Sequence, residues 1–145
     1  MDMDERIMLG MVRISERFKK ESSAILKKNN LTFSQYNVLR ILESSRDGKM
    51  TMTAIGKLML VSGANITGIA KRLERNGFLT RQVAEDDERM KNLEITATGR
   101  KLVRRAHPER DIYHRSFLSA FSDTEKQHLY HSLIDILKSQ SLEME

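Results

Sequence analysis

The stretch Val61–Gly77, VSGANITGIAKRLERNG, decides how the rest of the chain is read. Ser62 is a capping residue whose hydroxyl accepts a hydrogen bond from a first-turn amide. Gly77 stands where helices commonly end. Ile66, Ile69, Ala70 and Leu73 recur at three- and four-residue spacing and form one apolar stripe. The opposite face carries Asn65, Thr67, Gly68, Lys71, Arg72 and Arg75. Small polar groups near its start and cations near its end make this face slim enough for a major groove. An ordinary solvated helix with cations in its last turn, where they suit the helix dipole, fits the same description. The neighbouring segments decide between the two.

Just upstream, Thr51 caps a short helix, Met52 to Leu60, with Ile55 and Leu58 facing inward. Only Val61 and Ser62 separate it from the next helix. Two short helices so tightly joined, the second polar outside, form a helix-turn-helix pattern. Further upstream, Thr32 and Gln35 make a capping box for a helix from Leu31 to Glu43, whose stripe is Phe33, Tyr36, Leu39 and Leu42. Residues 44–49, SSRDGK, read as a turn with Asp47-Gly48 at its tip. Downstream of Gly77 the period becomes two. Leu79, Arg81 and Val83 mark one strand, and Leu93 and Ile95 another. Between them lies a polar, acidic stretch, AEDDERMK, so the expectation is a hairpin whose loop is too long for a two-residue turn. Such a hairpin is a wing.

Long helices flank this core. Met3 to Lys28 carries Ile7, Met11, Ile14, Phe18 and Ile25 on one face and ends at Asn29-Asn30. A fifth helix starts at Thr96 or Thr98 and runs to about Phe121, with Leu102, Ala106, Tyr113, Phe117 and Phe121 as its stripe. Pro108 inside it predicts a kink or a split. Ser122 caps a last helix through about Ser139, with Leu129, Leu133, Ile136 and Leu137 facing in, and fraying is expected after Gln140. The terminal helices have too little local chain to cover their stripes, which predicts a homodimer. The expected fold is mainly α with a small β-hairpin wing: a winged helix-turn-helix core flanked by long dimerisation helices. Residues 1–30 form the N-terminal dimerisation helix, 31–98 the DNA-binding domain and 99–145 the C-terminal dimerisation helices.

The chain has 145 residues, enough for one real core, and a formal net charge of +5, which permits a nucleic-acid partner without requiring one. It contains no cysteine, so disulfides, thiolate metal sites and thiol redox chemistry are excluded. No apolar run is long enough for a membrane span, and the acidic N-terminus, MDMDERIMLGM, does not read as a secretory signal. The expected location is the cytoplasm. No phosphate loop, nucleophile elbow or paired-carboxylate constellation points to an enzyme, and no cofactor is implied.

The sequence resembles the MarR family of bacterial transcription regulators. The resemblance spans nearly the whole chain in element order and is sharpest from Leu31 to Gly99. It is carried by LTFSQYNVLRIL, TMTAIGKLM, NITGIAKRLERNGFLTR and DERMKNLEITATG. Arg72, Leu73, Glu74, Gly77 and Arg81 look like the family's exit from its recognition helix. Asp87 and Arg89 match its Asp-x-Arg wing motif, and Thr96 and Gly99 its Leu-Thr-x-x-Gly. The resemblance implies a homodimer that binds pseudo-palindromic duplex DNA, usually as a repressor. It also implies release by a small phenolic or other lipophilic effector bound between the dimerisation helices and the DNA-binding lobe. Two departures stand out. The family often has Arg at the position of Gly68 and an acid at that of Lys71, so base preference should differ here. The wing carries four consecutive acids, residues 85–88, which oppose approach to phosphates.

On this reading Asn65, Thr67, Gly68 and Lys71 face base edges, with Asn able to read adenine bidentately. Thr51, Ser62, Arg72 and Arg75 serve phosphates, and Arg72 has a competing role as a structural ion-pair partner. In the wing two readings stand: it contributes less affinity here, or Asp87 braces Arg89 so that only its guanidinium enters the minor groove, with Lys91 nearby in sequence. The effector pocket is assigned to Phe18, Tyr36, Leu39 and Tyr113. His107, Asp111 and His114 share a helix face as metal ligands would, but no further ligand is identifiable and no metal site is assigned. Nine methionines are read as adaptable packing. The rival readings are a winged-helix protein–protein module with little DNA binding, favoured by the acidic wing, and a metal-responsive repressor.

Overall fold

Residues 1–59, 61–84 and 87–142 are described by a computed structural model, with residues 84 and 87–90 described through their backbone. The elements follow as α1 (Met3–Lys27), α2 (Phe33–Ser44), β1 (Lys49–Thr51), α3 (Met52–Met59), α4 (Gly63–Arg75), β2 (Leu79–Ala84), β3 (Asp87–Ile95), α5 (Ala97–Phe117) and α6 (Asp123–Ser139). Hydroxyl caps start five of the helices as their sequences require. Thr32 Oγ1 accepts from Gln35 N at 3.1 Å while Gln35 Oε1 accepts from Thr32 N at 3.0 Å. Thr51 accepts from Ala54 N, Ser62 from Asn65 N, Thr96 from Gly99 N and Ser122 from Glu125 N. Thr96, not Thr98, therefore starts α5. Asn30 (φ 55°) ends the α1 region and Gly77 (φ 74°) follows the end of α4 in left-handed conformations.

The sheet is antiparallel with order β1-β3-β2. The sequence pattern places Lys49 at the end of a turn and Thr51 at a helix cap, and predicts no strand at β1. Its three residues, Lys49, Met50 and Thr51, pair with Glu94, Leu93 and Asn92. Three residues are too few to display a two-residue period, and the partner is more than forty positions away. The wing loop also needs correction. Residues 85–86 alone separate β2 from β3, because pairing continues to Ala84 opposite Asp87 through a register shift after Val83. Strand pairing is a backbone property, and a wing with both faces polar carries no apolar alternation to reveal it.

One core unites the elements. Leu26 of α1, Leu39 and Leu42 of α2, Ile55 of α3, Leu73 of α4, Leu93 of β3 and Val103 of α5 are all fully buried. The stripes at the two ends behave differently. In α1 only Ser22 and Leu26 are buried, while Ile7 and Ile14 are exposed. No residue of α6 is buried, and Leu129, Leu133 and Ile136 face outward, against the expectation that they face in. A stripe identifies which face is apolar but not what covers it. α5 ends at Phe117, short of the expected Phe121, and is not split at Pro108. Pro108 is exposed, so the hydrogen bond it cannot make is lost on the solvent side of the helix, where it costs least. No single helix among the described residues is long and apolar enough to cross a membrane.

Candidate nucleic-acid interface

α3 and α4 turn through 112° across their short connection, within the range of a helix-turn-helix. Ile66, Ala70 and Leu73 bury the inner stripe of α4. Burial of that stripe turns Asn65, Lys71, Arg72 and Arg75 outward, where all four are exposed. Among the described residues Lys71, Arg72 and Arg75 make no ion pair. Gly68 lies between them, and a Cβ built there meets nothing within 4 Å. Its smallness therefore answers to nothing inside the protein. Thr67 is only half-buried, and its hydroxyl donates to the Gly63 carbonyl at 2.8 Å. That bond leaves it an acceptor toward a base. Ser62 and Thr51 are both engaged as caps.

The ion pair considered for Arg72 is made instead by its neighbours. Arg81 of β2 holds Glu74 of α4 through Nε at 2.7 Å and Nη2 at 2.6 Å, both to Oε2. The Arg81 hydrogen bond keeps the Glu74 carboxyl below its ordinary range, and Lys91 adds to this at longer reach. The pair ties the last turn of the recognition helix to the wing. A second tie runs through α5, where Thr96 Oγ1 donates to the Gly77 carbonyl at 2.7 Å and Thr96 N to the Phe78 carbonyl at 3.1 Å. Lys91 sits opposite Val83 in the wing and is exposed. The side chains of Asp87 and Arg89 lie outside the described residues.

The sequence reading missed Thr32 and Ser34. Both line a groove beside α4 with Val61, Ala64, Asn65, Gly68, Ile69 and Arg72. The signal was present: a capping box marks a helix start, and a helix start presents amides suited to anions.

A second cluster joins α1, α2 and α5. Phe18 stacks on Tyr113 at 5.9 Å between ring centroids and meets Phe33, His114 and Phe117 at 5.4–6.1 Å. Tyr36 is buried beneath the Arg110 guanidinium, 4.1 Å from its ring centre, a cation–π contact. Of the four residues assigned to an effector pocket, Phe18 and Tyr113 touch, Tyr36 lies beside Arg110, and Leu39 is deeper, in the main core. Arg110 and His114 were not assigned. Arg110 Nε, Tyr113 Oη, His114 Nε2 and Ser22 Oγ are buried without a hydrogen-bond partner. Buried polar atoms left unpaired are costly, and three of these four belong to one stretch of α5. His107 Nδ1 pairs with Asp111 at 3.2 Å, and among the described residues no three His, Asp or Glu side chains converge on a metal position.

Burial, then the Arg110 charge, pushes the His114 imidazole below its ordinary value of 6.5, with Asp111 opposing. The sign of the resulting pH dependence follows. As pH falls through 6.5 the unfolded chain takes a proton that the folded one resists, so stability falls. The melting temperature is expected to drop between about pH 7 and pH 5.5, and to drop less in His114→Gln. Equal drops in both proteins would place the titrating group elsewhere.

A MarR family model matches residues 29–90 of the chain. The regulator PecS of Dickeya dadantii is 27% identical over 133 residues, 89% of this chain and 79% of that protein. The homoprotocatechuate degradative operon repressor of Escherichia coli is 25% identical over 135 residues, 93% of this chain and 90% of that protein. Among solved structures, the DNA complex of MepR from S. aureus superposes with a TM-score of 0.81 at 25% identity, covering 91% of this chain and 96% of that one.

Proposed function

We propose that the chain is a member of the MarR family of transcriptional regulators, whose model matches residues 29–90, and that it is a homodimeric repressor of a pseudo-palindromic DNA operator, released by a small lipophilic or phenolic effector. It is not an enzyme. The observation that carries the reading is the outward face of α4, where exposed Asn65, Lys71 and Arg72 surround the open position at Gly68. Asn65, Thr67, Gly68 and Lys71 address base edges, and Arg72, Arg75, Ser62 and Thr51 address phosphates. Residues 31–98 read DNA, while residues 1–30 and 99–145 supply the dimer. The outward apolar faces of α1 and α6 support that assignment. The effector sits among Phe18, Tyr36 and Tyr113, with Leu39 behind them, and Arg110 and His114 supply the polar contacts. Such a regulator works in the cytoplasm.

The test is a fluorescence titration against duplex carrying an inverted repeat from the DNA flanking its own coding region. Binding is expected to exceed that to random duplex by about a thousand-fold and to weaken steeply with salt. Equal affinity for random duplex overturns sequence-specific reading. Absence of any salt-dependent binding favours the protein–protein module that the acidic wing suggests. In the same titration Arg89→Ala is expected to weaken specific binding and flatten its salt dependence. Unchanged affinity and slope would mean that the wing stays off the DNA.

A further inference from the structure

A second groove adjoins the one beside α4. It is lined by Asn29 and Asn30 from the end of α1, Asn76 and Phe78 after α4, and Lys101 and Arg105 of α5, with Thr98 and Leu102. The linings of the two grooves come from adjacent stretches of chain. Arg72 of the first and Asn76 of the second are four residues apart, hence neighbours on one helical face, and Asn30 is two positions from Thr32. Taken end to end, the two linings trace a strip from the recognition helix, by the α1–α2 corner, to the first turns of α5.

The strip contains three cations, Arg72, Lys101 and Arg105, and no carboxylate. Among the described residues neither Lys101 nor Arg105 pairs with an acid. Arg105 Nε donates to Asn29 Oδ1 at 3.0 Å, a contact with a neutral amide that orients the guanidinium without cancelling its charge. Glu109, four positions beyond Arg105 on α5, is held by Lys28 at 3.2 Å. Cations interleaved with neutral amides and hydroxyls along an open track suit an extended polyanion, since these are the side chains that contact nucleic-acid phosphates. In the wing sequence, four consecutive acids at 85–88 weaken it as a phosphate contact.

We propose that the DNA backbone continues from α4 past the α1–α2 corner onto α5, and that Lys101 and Arg105 are phosphate contacts that offset the acidic wing. This rests on the DNA-binding function proposed above. The test compares the wild-type dimer with Lys101→Ala, Arg105→Ala and Arg104→Ala on one operator duplex over a range of salt. Arg104 is one position from Arg105 but turns to Glu43 at 3.6 Å, so it controls for net charge alone. Each contact occurs twice in a dimer, so Lys101→Ala and Arg105→Ala should each reduce the slope of log K against log salt by about 2. Affinity near physiological salt should fall about ten-fold or more, with Arg104→Ala close to wild type. Exposed positions leave folding intact, which a melting curve verifies. Wild-type slopes in both variants, or the same fall in all three, overturn the proposal. Loss of binding by the wild type itself is a different failure, that of the DNA-binding reading.

Discussion

Gly68→Glu is expected to leave the protein folded and to abolish operator binding. A Cβ at this position meets nothing within 4 Å, and the backbone is ordinary helix, so the folded state has no reason to object. Replacing glycine inside a helix should, if anything, stabilise it by about 0.5 kcal/mol. The cost falls on the complex. The carboxylate would stand between Asn65, Lys71 and Arg72 on the face proposed to enter the groove, where it would meet base-edge acceptors and phosphates. With two copies per dimer, the loss should be at least about a hundred-fold, or roughly 3 kcal/mol. Parallel melting and binding curves check both halves. Operator affinity within a factor of three of wild type would remove Gly68 from the interface. The same position also makes operator choice hard to transfer from relatives, because the family often carries a long cation there.

Gly99→Ala should do the opposite and disable the protein through its fold. A Cβ at Gly99 runs into the backbone carbonyl of Phe78 and lies 2.9 Å from Ile95 Cγ1. A carbonyl in the main chain cannot swing aside as a flexible side chain can. Relief requires parting the start of α5 from the Gly77–Phe78 segment, where Thr96 makes its two bonds to Gly77 and Phe78. Overpacking of this kind costs about 3 kcal/mol, a large fraction of a small domain's stability. Chemical denaturation should show a clearly lower midpoint, and DNA binding should weaken further because the same junction sets the angle between α4 and α5. An unchanged midpoint would mean that the segment adjusts freely and that α5 does not brace the recognition helix.

These two glycines mark what the sequence reading reached. Both sat inside the motifs that carry the family resemblance, yet the reason for each was not legible. The sequence marks Gly68 as close-approach space, which requires only the helical face it occupies. Gly99 had been only a motif letter, because the atom it avoids lies twenty-one positions back, in the chain that leaves α4. Arg81 was the same kind of case. The spacing was visible, but its carboxylate partner depended on how the chain turns at Gly77.

Local chemistry by itself determined the helices, their caps and the polar face of α4. Ser62, Thr32, Thr96 and Ser122 act on amides within three residues, and an apolar stripe needs only helical periodicity. The tertiary structure alone decided what depends on distant pairing. It added β1 to the sheet, lengthened the wing strands, turned the stripes of α1 and α6 away from the protomer core, and brought Arg110, Tyr113 and His114 together with their polar atoms unpaired. Periodicity states which side of an element is apolar or charged. Only the packed chain states what lies opposite, and that is where the ties on the recognition helix and the strip through Lys101 and Arg105 came from.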